Sequence, residues 1–118
     1  MAIPSFQVMM RPVLEVLEAT GARSLADWRD EVQRRVQISD KQREERLEDS
    51  HVRVFDNRVA WAVTHLRLAG LTEGPKGSLW AITESGREFL ENHEGPISVK
   101  DLQTIPSYVE AWKRVRSF

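Results

Sequence analysis

Apolar residues recur at three- and four-residue intervals along most of this chain, and a central run of this kind covers 55–71. Val59, Ala62, Val63, Leu66 and Ala69 form one stripe of a helix of about four turns, the side that a core would take. The opposite side carries Asn57, Arg58, Trp61, Thr64, His65 and Arg67. Gly70 follows the last periodic residue, where a left-handed backbone ends a helix at least cost. The period then changes. Leu71-Thr72-Glu73-Gly74 and Ser78-Leu79-Trp80-Ala81-Ile82-Thr83 read as short strands, joined by a Pro75-Lys76-Gly77 turn with the lysine at its tip.

Upstream, 5–21 reads as a helix with Phe6, Met10, Val13, Leu14 and Leu17 inside and Gly21 at its close. Pro12 lacks an N–H and disfavours helix at Met10 and Arg11, which predicts a kink or a break. Ser24 caps a second helix, with Asp27 in its first turn, and Leu25, Trp28, Val32 and Val36 facing inward to an end near Gln37. Ser39 and Gln42 make a capping-box signal. The dense charges of Arg43-Glu44-Glu45-Arg46-Leu47-Glu48 read as a solvated face with internal ion pairs. The stretch 48–54 is either a turn or a short β segment, in which Val52 and Val54 would pair with the later hairpin.

Downstream, Thr83 caps a helix over 83–93 that docks Phe89 and Leu90, and Gly95-Pro96 breaks it. Ser98 caps a helical turn with Asp101 at the third position. A last helix starts at Pro106 and carries Tyr108, Val109, Trp112 and Val115. Trp112 is expected to fold back on the first helix; the alternative is a homodimer built through this last helix. The fold class that follows is mainly α (α+β): a winged helix-turn-helix with extra N- and C-terminal helices and a small β-hairpin wing. One domain is expected over 1–118, with a recognition helix at 55–70, a wing at 71–83 and a C-terminal helical extension at 96–118.

A helix followed by a hairpin with a basic tip suits duplex DNA. The first turn of such a helix meets base edges, where Asn57 can bridge adenine and Arg58 guanine. Trp61 can wall a methyl group, Thr64 and His65 can reach base or phosphate, and Lys76, Arg53 and Arg67 are phosphate candidates. Over 51–80 four cations oppose two anions, a modest excess that predicts salt-sensitive binding. Over all 118 residues the net charge is −1, so the chain is no polycation that wraps DNA. That neutrality, with the acidic run from Glu44 to Asp49, motivates a rival in which the domain serves protein contacts, with Trp61, Tyr108 and Trp112 at a subunit interface.

There are no cysteines, which excludes disulfides and thiolate metal sites and fits a reducing, cytoplasmic setting. No apolar run is long enough for a membrane span, and the start lacks a secretory pattern. His51, His65 and His93 lack metal-site spacing, and neither a nucleophile elbow nor a phosphate-cradling glycine loop occurs. Neither catalysis nor a cofactor is expected within the chain.

Several segments together carry a family likeness: Ile3-Pro4-Ser5-Phe6, Arg11-Pro12-Val13-Leu14, Phe55-Asp56-Asn57-Arg58-Val59-Ala60-Trp61-Ala62, Leu66-Arg67-Leu68-Ala69-Gly70-Leu71, Trp80-Ala81-Ile82-Thr83-Glu84-Ser85-Gly86, and the tail Val99-Lys100-Asp101-Leu102 with Ile105-Pro106-Ser107-Tyr108-Val109-Glu110. They resemble the N-terminal winged-helix domain of the Mrr-type restriction endonuclease family. The resemblance implies target recognition in a restriction system that acts on modified, often methylated, DNA. In that family a nuclease domain usually follows in the same chain. Its chemistry needs clustered carboxylates and a lysine on a core strand to hold Mg²⁺, and no such pattern occurs here. The expectation is a DNA-binding module that serves a nuclease domain in cis or in trans, alone or as an excised domain.

Overall fold

Side-chain caps set the starts of four helices. The computed structural model describes residues 3–48 and 50–116. Helix α1 covers Phe6–Thr20, strand β1 Arg23–Ser24, α2 Leu25–Arg35 and α3 Asp40–Arg43. The long α4 spans Val54–Leu68, followed by β2 at Thr72–Lys76, β3 at Leu79–Ile82, α5 at Glu84–Asn92, α6 at Val99–Leu102 and α7 at Pro106–Arg116. Ser24 accepts from the Asp27 N–H and Thr83 from that of Gly86. Ser39 with Gln42 and Ser98 with Asp101 form full capping boxes, as their spacing predicts. At the end of α4, Gly70 (φ 76°) bonds back to Arg67 and Leu71 back to Leu66, which is a Schellman stop with both leucines buried. At the end of α2, Gln37 takes the same left-handed position (φ 57°) without being glycine.

Of the kink or break expected at Pro12 the break does not occur, and the strand expected at Val52 and Val54 lies elsewhere. Helix α1 runs unbroken through Pro12. The carbonyl that loses its donor belongs to Val8, which is half exposed, so water can satisfy it and no break is required. The strand that pairs with the hairpin is not at Val52 and Val54. It is β1, with Arg23 opposite Trp80 and Ser24 opposite Leu79. Val54 begins α4, and Val52 is exposed.

The sheet is antiparallel in the order β1-β3-β2, with Thr72 opposite Ile82 and Glu73 opposite Ala81. An irregularity at the Gly74–Pro75 step brings Lys76 opposite Leu79, so the lysine flanks the turn instead of forming its tip. The result is an α-rich chain with a small three-stranded sheet.

The core lies between α1, α2 and α4, closed by the sheet and the C-terminal helices. Met9, Met10, Val13, Leu14, Leu17, Trp28, Val32, Phe55, Val59, Ala62 and Leu66 are fully buried. Trp28 meets Trp80 of β3 edge-on at 6.3 Å; truncating so large a buried ring costs roughly 3–5 kcal/mol. Leu25, expected inside, is exposed at the start of α2. Gly86 is buried where α5 crosses the sheet, and a Cβ there would collide with the Leu71 carbonyl and with Ile82. Arg11 docks α1 on the segment after α5 by donating to the carbonyls of His93 and Gly95, both at 2.8 Å.

Candidate nucleic-acid interface

Helix α4 has three sides. Phe55, Val59, Ala62, Val63 and Leu66 face the core, as the periodicity predicts. Arg53 at the cap, then Asn57, Ala60 and Trp61, Thr64, and Arg67 follow at three- and four-residue steps and line the solvent side. Arg58 and His65, seven residues apart, share a third flank between these two.

That flank corrects the expected polar face at two positions. His65 is 4% exposed, not outward-facing. Its Nδ1 lies 2.9 Å from the Tyr108 hydroxyl on α7, and its ring stacks on Phe6 at 4.8 Å and sits 5.0 Å from Trp112. Loss of solvent holds the imidazole below its ordinary 6.5 and pushes the Tyr108 phenol up from 10.0. The pair is therefore neutral at pH 7 and shares a single hydrogen bond, with either Tyr108 or Nδ1 as donor. Arg58 is also inward-turned: its Nη1 donates to the Pro4 carbonyl at 3.2 Å and lies 3.5 Å from that of Ile3. Trp112 packs against His65 of α4, on which Phe6 of α1 also stacks, and Tyr108 is fully buried within its own chain.

The N-terminal turn of α4 is held rigidly. Asp56 sits 3.5 Å from Arg29 Nε and 4.0 Å from Arg43 Nε, long contacts that are ion pairs more than hydrogen bonds. Arg43 also reaches Asp30 and Gln33 and lies over the Phe55 ring at 5.6 Å. The ion pairs of Arg43 thus cross to α2 and α4 instead of staying inside the 43–48 run.

The solvent side is open. Asn57 and Arg67 have no side-chain partner among the described residues. Trp61 is 48% exposed and borders a shallow apolar recess of about 190 Å³ with Ala60 and Thr64. Thr64 donates its hydroxyl to the Ala60 carbonyl at 2.8 Å, so its methyl is the group left for the recess. Lys76 is exposed on the hairpin beyond the C-terminal end of α4.

Sequence reasoning missed Arg46. Residues 45–54 make a small hairpin, with Leu47 N–H on Val52 O at 2.9 Å and Val54 N–H on Glu45 O at 2.8 Å. Between those bonds Arg46 lies directly opposite Arg53. The signal was present in one short alternating run, Val52-Arg53-Val54, just after Ser50-His51. The many charges nearby concealed it. Asp49, part of the acidic run, lies outside the described residues, as do 1–2 and 117–118 of the expected domain.

Among the described residues no cluster of three or more His, Asp or Glu could hold a metal ion, and no helix is long and apolar enough to cross a membrane. The molecule is thus an α-rich domain whose central helix is fixed on two sides and presents a polar stripe with one exposed tryptophan on the third. It belongs to the Mrr N-terminal domain family, whose model matches residues 6–92. It is similar to the Escherichia coli protein named type IV methyl-directed restriction enzyme EcoKMrr, at 26% identity over 105 residues. That match takes in 86% of this chain but 33% of the relative, so the chain spans about a third of the relative's length. No solved structure matches.

Proposed function

We propose that this domain is a winged-helix DNA-binding module that directs a restriction nuclease, in cis or in trans, to duplex DNA bearing a methylated base. The observation that carries the reading is the unpaired stripe on α4, where Asn57 and Arg67 flank the Trp61–Thr64 recess. A helix enters the major groove with such a face. Asn57 would bridge an adenine edge, and Arg67, Arg53 and Lys76 would contact phosphates. The recess suits a methyl group, which stands in the major groove both on N6-methyladenine and on 5-methylcytosine. The order β1-β3-β2 and the hairpin directly after α4 support the winged-helix reading. The relative's name, methyl-directed, supports the modified target. Arg58, engaged on the N-terminal carbonyls, is a weaker base reader than Asn57.

Fluorescence-anisotropy titration of duplexes that are unmodified, or carry N6-methyladenine or 5-methylcytosine, at two salt concentrations tests this. One methyl group buried against Trp61 is worth about 0.8 kcal/mol, roughly a fourfold preference for one modified duplex. Equal binding to all three removes methyl reading and leaves a general DNA anchor. No binding at low salt removes the DNA reading and favours protein contacts, for which the exposed Trp61 and Val115 are the motive. Sedimentation would then separate a homodimer from a monomer awaiting a different partner.

A further inference from the structure

We propose that Arg46 and Arg53 form a two-cation clamp for a DNA phosphodiester, at the N-terminal end of α4 and outside the base-reading stripe. The inference rests on the DNA-binding reading and adds a contact to it. The two residues face each other across the 45–54 hairpin, and the flanking bonds from Leu47 to Val52 and from Val54 to Glu45 make them a non-hydrogen-bonded pair. In that register cross-strand side chains leave the same face and stand at their closest separation. The Ser50 hydroxyl accepts from Val52 N–H at 3.0 Å, and Ser50 N–H bonds to Leu47 O at 3.1 Å.

Two arginines directly opposite each other on paired strands repel unless an anion lies between them. Yet neither arginine has an ion-pair or hydrogen-bonding side-chain partner among the described residues. Asp40 and Glu44 border the recess beside Arg53, where they accompany Arg43, but neither comes within ion-pairing distance of Arg53. The other arginines nearby are engaged: Arg43 with Asp30 and Asp56, Arg29 with Asp56, and Arg58 with backbone carbonyls. A fold that pairs its neighbouring cations and leaves two opposed arginines without a partner among the described residues offers a site for an external anion. A phosphodiester fits, because guanidiniums recognise its two free oxygens in a fork.

The position is apt. Arg53 lies one turn before Asn57 on the solvent side of α4, so an anion held there adjoins the reading stripe. Lys76 lies past the other end of this helix, which is about 22 Å long.

The test is the salt dependence of duplex binding by the whole chain, wild type against Arg46→Ala and Arg46→Lys. Arg46 is exposed and unpaired, so R46A should fold, with an unbound melting midpoint equal to or above that of wild type as the repulsion is relieved. In DNA binding, R46A should lower the magnitude of the log–log salt slope by about 0.9 and weaken all duplexes alike, methylated or not. R46K should keep the slope. A wild type that binds, with a slope that R46A leaves unchanged, overturns the clamp and leaves the DNA reading standing. A lower unbound melting midpoint for R46A assigns Arg46 to the fold and overturns the clamp as well. A wild type that binds no duplex overturns both.

Discussion

His65 shows how one residue's environment reverses its sequence-level role. Among polar neighbours on α4 it reads as an outward imidazole. In the fold it is enclosed by Phe6, Trp61, Tyr108 and Trp112, with no carboxylate among its ring partners. Burial lowers its pKa, so the folded protein resists a proton that the unfolded chain accepts below 6.5. Stability is therefore full above that value and falls as the pH drops below it, by up to about 1.4 kcal/mol per pH unit, until the lowered folded pKa is reached. Melting midpoints from pH 7 to pH 5 should decline more steeply for wild type than for His65→Phe; parallel curves would show that the ring is not held neutral. Gly86 gives a second prediction at this scale. Its missing Cβ leaves room for the Leu71 carbonyl and Ile82, both on rigid backbone or core positions, so Gly86→Ala should cost about 1–3 kcal/mol in urea unfolding.

At the level of elements, the caps and the apolar stripes were legible because they are local. Ser24, Ser39, Thr83 and Ser98 each cap the helix that their spacing predicts, and the inward stripe of α4 is the one that its periodicity marks. What the sequence hid depends on partners distant along the chain. The strand that joins the hairpin is only Arg23–Ser24, two residues with no alternating pattern, and its pairing with Trp80 and Leu79 is non-local. Helix α7 settles against α4 through Tyr108 and Trp112, so it covers the flank that holds His65. Much of the surface placement was legible for the same reason: Asn57, Trp61, Thr64 and Arg67 face solvent by helical spacing alone, whereas the inward turn of Arg58 depends on carbonyls more than fifty residues earlier. Sequence logic made Arg58→Ala a binding lesion worth about 1–3 kcal/mol. Its geometry makes it first a stability lesion, since the Ile3–Pro4 segment loses its charge-assisted anchor, worth roughly 1.5–3 kcal/mol. Urea titration and anisotropy on the same R58A protein separate the two: a lower unfolding free energy with near-normal DNA affinity is expected, and the opposite result would restore Arg58 as a reader.

For the whole molecule the deciding quantity is where charge is left unpaired, not how much there is. A net charge of −1 over 118 residues gives no long-range pull on a polyanion. Several acids are committed inside the chain: Asp56 and Asp30 to Arg43, Glu15 to Arg11 and Arg35, Glu31 to Arg34 and Asp101 to Ser98. Lys76 and Arg67, in contrast, have no side-chain partner among the described residues and lie along or beyond α4. Binding to DNA should then rest on a few localised contacts, with modest affinity and a shallow salt slope. Under that arrangement Lys76→Ala, on an exposed hairpin position, should leave the melting midpoint nearly unchanged. It should reduce the salt slope by about one and weaken modified and unmodified duplexes by the same factor, because a phosphate contact carries no base information. A change in methyl preference on K76A would instead place the hairpin in base recognition and move the reading surface away from Trp61. An unchanged slope with undiminished affinity would show that the hairpin after α4 does not touch the duplex, and a winged mode of binding would fall with it.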